Sequence, residues 1–77
     1  MNLAEADEII RASGARLGSY ESSGFAKAST ADAIRQVVQE LQALDRLALA
    51  SPPCAAKTGY LVKRYQALKL RLQLKAD

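Results

Sequence analysis

The stretch AKTGYLVKRYQALKLRLQLK, residues 56–75, decides the fold. Its last eight residues, from Leu68 to Lys75, alternate strictly between apolar and polar, which is the pattern of a half-buried strand. Helix is nevertheless the better reading. Leu, Lys, Arg and Gln are strong helix formers, no β-branched residue follows Val62, and no other stretch offers a strand to pair with. Wound at about 100° per residue, the segment gathers Leu61, Tyr65, Leu68 and Leu72 on one side and Tyr60, Ala67, Leu70 and Leu74 on the other. A helix in a simple hairpin needs one apolar stripe, and a second one left uncovered marks an interaction site.

Upstream, Ser51, Pro52 and Pro53 form a helix stop, because proline lacks the backbone donor and pushes the residue before it out of the helical region. Before that stop, Ile34, Val37, Val38, Leu41, Leu44 and Ala48 recur at helical spacing, and Ser29 with Asp32 supplies the start. Leu47 and Leu49 widen this apolar face, whereas Gln36, Glu40 and Arg46 fall away from it. The spacing predicts a helix over 30–49, joined to the one over 56–75 by a connection short enough to make the two antiparallel.

At the beginning of the chain, Asn2 and Glu5 have the form of a capping box, with Leu3, Ala6, Ile9 and Ile10 at helical spacing and Gly14 placed as a terminator. A short helix over 3–13 follows. Residues 14–28 are rich in Gly and Ser and predict a flexible loop in which Leu17, Tyr20 and Phe25 are the potential anchors. The fold class is therefore all-α: a short N-terminal helix plus an antiparallel helical hairpin, in one small domain.

Composition narrows the function. The chain has 77 residues and a net charge of +3, with no histidine and one cysteine, Cys54. That inventory removes common zinc sites, imidazole acid-base chemistry and the Ser/His or Cys/His nucleophilic pairs. Catalysis, a cofactor, a bound metal and a small-molecule substrate are accordingly not expected. Glu5, Asp7 and Glu8 complement a helix dipole without needing a cation, and Cys54 reads as a small loop residue rather than a reactive thiol. Tyr60 and Tyr65 read as packing residues with hydroxyls in water. No apolar run is long enough for a bilayer, the acidic start is unlike a signal peptide, and a lone cysteine suits a reducing compartment, so the expected location is cytoplasmic.

Charge is unevenly placed. Residues 51–77 carry six bases against Asp77 alone, and Lys57, Arg64, Arg71 and Lys75 form a basic ridge along one line of the last helix. This ridge could contact phosphates, so nucleic acid is one candidate partner, although no helix-turn-helix or RNP-type pattern accompanies it. The other candidate is a protein, or a second copy of the chain, seated on Tyr60, Ala67, Leu70 and Leu74. A third way to cover that stripe is internal, by the N-terminal helix. In outline, the short first helix and the hairpin broken at proline over residues 30–75 resemble small helical co-chaperones of type III secretion systems, and the resemblance implies an adaptor, inhibitor or chaperone-like role.

Overall fold

The computed structural model describes residues 2–25 and 28–75 and places them in three helices of equal length: α1 (Leu3–Ser23), α2 (Thr30–Ala50) and α3 (Ala55–Lys75). A 3-10 turn, Pro52–Cys54, joins the second to the third. The bundle is elongated, 40 × 18 × 16 Å, as helices of about 31 Å laid side by side require. The alternating stretch at the end of α3 is helical, so helix propensity and the lack of a pairing strand outweigh the period of two.

Local chemistry fixes the helix starts. The Glu5 amide donates to Asn2 Oδ1 at 2.8 Å while Asn2 Nδ2 donates back to Glu5 Oε1 at 3.3 Å, and the Asp32 amide donates to Ser29 Oγ at 3.1 Å. The first helix corrects the expectation of a short element over 3–13 and a loop over 14–28. It runs through Gly14 and Gly18 to Ser23, and ends at Gly24, whose φ of 72° lies where only glycine is unstrained. Tertiary packing overrides the loop-like composition: Leu17 is wholly buried, and Tyr20 stacks on Phe25 with ring centroids 4.3 Å apart. Of the predicted loop, residues 26 and 27 lie outside the described residues.

Each helix faces the core through positions spaced alternately by four and three. In α1 these are Ala6, Ile10, Ser13, Leu17 and Tyr20; in α2, Ala33, Val37, Glu40, Leu44 and Leu47; in α3, Thr58, Leu61, Tyr65, Leu68 and Leu72. The hairpin of α2 and α3 is the more intimate pair, with α1 laid chiefly along α3. Gly14 faces α3 at this contact, and a Cβ added there would sit 3.7 Å from Leu61 Cδ2, ordinary van der Waals contact.

Two details of α2 differ from the sequence reading. Its buried face is rotated by about one residue, so Ala33 and Leu47 are inside while Ile34, Val38 and Ala48 are only partly covered. Leu49 does not widen the core; it is 84 % exposed at the end of the helix. The reason is that α2 packs against two neighbours, and their shared groove lies off the stripe that maximises its own apolar content. Cys54 is buried in the connection and accepts a hydrogen bond from Ser51 Oγ at 3.5 Å, between two exposed prolines and α3.

Candidate interaction face of the third helix

The inner stripe of α3 is consumed by the bundle: Leu61, Tyr65 and Leu68 are buried and Leu72 is partly buried. The outer stripe is not. Tyr60 is 61 %, Leu70 58 % and Leu74 69 % exposed, with Ala67 exposed between them. The N-terminal helix does not cover this stripe, because it lies beside the basic ridge instead. Lys57 Nζ donates to Asp7 Oδ1 at 3.2 Å, and Arg64 Nε donates to Glu21 Oε2 at 3.3 Å with a second, shorter bond from its Nη2 to Glu21 Oε1. These are the two ion pairs that join α1 to α3 among the described residues.

The ridge therefore divides. Lys57 and Arg64 are engaged by acids of α1, whereas Arg71 and Lys75 are exposed and make no ion pair with a described residue. The hydrogen bond from Arg64 is the main cause holding the Glu21 carboxyl below its ordinary range, and the same bond raises the Arg64 pKa. The Arg64 guanidinium also lies over the Tyr60 ring, 5.4 Å from its centroid, a cation–π geometry. The cation paired with Glu21 of α1 is thus also the one that faces the outer aromatic.

A polar cluster missed in the sequence sits at the middle of the bundle. Tyr65 is 0 % exposed, and its hydroxyl lies 2.6 Å from Glu40 Oε2 and 2.7 Å from the Ser13 carbonyl oxygen. The tyrosine has one proton for these two acceptors, and the charged one makes the stronger bond. Ser13 Oγ, 3.2 Å from that hydroxyl, and Arg16 also donate to Glu40, at 3.0 Å from the serine and 2.9 Å from Arg16 Nη2. The cluster corrects two expectations. Glu40 points inward and does not fall away from the core, and the Tyr65 hydroxyl is dry, its hydrogen bonds supplied by protein. A signal was present: Glu40 occupies one of the four-three slots of α2, where a charge is tolerated only with partners.

Burial is the largest influence on Glu40 and opposes its ionisation, but donation by Arg16, Tyr65 and Ser13 outweighs it, so the carboxyl stays below its ordinary pKa. Burial, reinforced by that carboxylate, pushes Tyr65 well above the ordinary tyrosine value. Both shifts favour the hydrogen-bonded pair of a neutral tyrosine and a carboxylate, the arrangement of a structural clasp. Among the described residues no group of His, Cys, Asp or Glu is arranged to hold a metal ion, and no helix is long and apolar enough to cross a membrane. A half-open groove of about 370 Å³ at the end of the bundle has Leu68 and Leu72 in its lining, together with Arg71 and Lys75. No known protein family, curated protein or solved structure matches this chain.

Proposed function

We propose that the protein is a non-catalytic binding module, an adaptor, inhibitor or chaperone-like subunit, that engages a protein through the outer stripe of α3. One observation carries the reading: Tyr60, Leu70 and Leu74 lie along a single helix face and remain more than half exposed although three helices are already packed. Large apolar side chains scattered singly need no explanation, but an aligned set on a rigid helix is what helix-in-groove and helix-on-helix recognition use. The clasp of Ser13, Glu40 and Tyr65 supports it indirectly, because it pins α3 to both other helices and so keeps the outer face in place. The nucleic-acid reading has less support, since two of the four cations it would use are neutralised by Asp7 and Glu21.

The test is substitution of Leu70 and Leu74 by Ser in the full chain. Association with a copy or a protein partner, read by molar mass in solution and by pull-down, is expected to be lost while helicity and melting temperature are retained. Association that survives both substitutions refutes the reading. Binding to duplex DNA that weakens steeply with salt and falls on neutralising Arg71 and Lys75 would favour the basic ridge instead.

A further inference from the structure

The outer stripe of α3 has its own four-three repeat: Tyr60, Lys63, Ala67, Leu70 and Leu74. This is the spacing of a coiled-coil seam, with Tyr60, Ala67 and Leu74 seven apart and Lys63 and Leu70 between them. It is displaced by two residues, about 200°, from the inner repeat that faces α2, so the helix carries two seams back to back. Lys63 occupies a seam slot, is exposed and makes no ion pair with a described residue. Arg71 lies beside the seam on its cationic edge and is likewise exposed, whereas the opposite edge is neutral at Gln66 and Gln73.

Resting on the binding role proposed above, we infer that the occupant of this seam is a helix of a different protein, apolar along its own seam and bearing Asp or Glu where it meets Lys63 and Arg71. Charge complementarity selects this partner over a second copy. The whole of α3 contains no acidic residue. Two copies paired in parallel and in register would set Lys63 against Lys63 inside the seam. Two copies paired antiparallel would bring the cationic edges together, and there Asp7 and Glu21 are already engaged by Lys57 and Arg64. In neither arrangement does the copy's α3 supply an acid to Lys63 or Arg71. A single polar residue in a seam is the device by which coiled coils choose partner and register, and Lys63 fills that role here. A partner with acidic flanks neutralises both cations, while the exposed Tyr60 ring serves as the apolar anchor at the other end.

The experiment titrates the isotopically labelled full chain with two synthetic helical peptides that share one leucine seam, one flanked by Glu and one by Lys, following backbone amide shifts. The acidic peptide is expected to bind at least about tenfold more tightly, with shifts along the outer face of α3 and a preference that shrinks as salt rises. The double variant K63E/R71E is expected to reverse the preference, with unchanged helicity showing that it folds. Equal binding of both peptides that is still lost on changing Leu70 and Leu74 to Ser would overturn the acidic partner and leave the binding face standing. Binding indifferent to Leu70 and Leu74 would overturn both. A chain that sediments at twice its 8.3 kDa mass through this seam, or that ignores the acidic peptide while binding phosphatidylserine vesicles or DNA on the same face, would overturn the partner assignment alone.

Discussion

Replacing Tyr65 by Phe removes one oxygen from the centre of the bundle, and the structure sets the size of the effect. The lost bond joins a wholly buried hydroxyl to a carboxylate at 2.6 Å, and a hydrogen bond to a charged group contributes about 1.5–3 kcal/mol. Glu40 keeps its bonds from Ser13 and Arg16 in the variant, so it is not stranded, and about 2 kcal/mol is expected at neutral pH. For a domain of this size that lowers the melting temperature by roughly 8–16 °C. The loss depends on pH in a way that simple cavity formation would not. The Glu40 pKa is lowered by folding, so its contribution is present above the unfolded value near 4.3 and disappears as pH falls through the folded value. The Tyr65 pKa is raised by folding, so its contribution is present below the unfolded value near 10 and is lost as pH rises toward the folded one. The stability gap between wild type and Tyr65→Phe is therefore widest between about pH 5 and pH 9 and narrows at both ends. Urea unfolding followed by circular dichroism at a series of pH values measures it. A gap below about 0.5 kcal/mol, or one that is flat with pH, would refute the assignment of a charged hydrogen bond.

Other parts of the molecule make equally definite predictions. Glu40→Gln keeps an acceptor for Tyr65 but removes the charge; because the Arg16 side chain is 48 % exposed, the ion pair itself adds less than about 1 kcal/mol, and the double variant with Tyr65→Phe is expected to show non-additive losses in unfolding experiments. Gly18→Ala meets no atom within 4 Å in the interior of α1 and is expected to stabilise the protein by up to about 1 kcal/mol in thermal melts. The same change at Gly24, also in open space but at φ 72°, is expected to destabilise it by about 1–2 kcal/mol. Cys54 is 3 % exposed, so thiol reagents are expected to label it only at the rate of unfolding; rapid labelling of the native protein would show that the connection after α2 opens.

The all-α class, the two hairpin helices and the proline stop were legible because each rests on local chemistry: propensity, caps, the missing donor of proline and a sustained apolar period. So was the double character of α3, since a helix of known pitch assigns every residue an angle. Other features depended on neighbours. The length of α1 was not legible, because Gly14 and Gly18 read locally as breakers and only contact with the hairpin holds the helix through them. Glu40 was placed outside for a similar reason. Hydropathy puts a carboxylate in water, whereas here Ser13, Arg16 and Tyr65 arrive from two other helices to satisfy it, and no window of one helix contains that information. The basic ridge was visible as a line of charge, but its division into two cations paired with α1 and two that make no ion pair with a described residue required Asp7 and Glu21 to be set beside it by the docking of α1. Sequence alone thus determined which surfaces of each helix are apolar or charged; the packing of three rods, which can cover only some of those surfaces, decided that the face of Tyr60, Leu70 and Leu74 is left open.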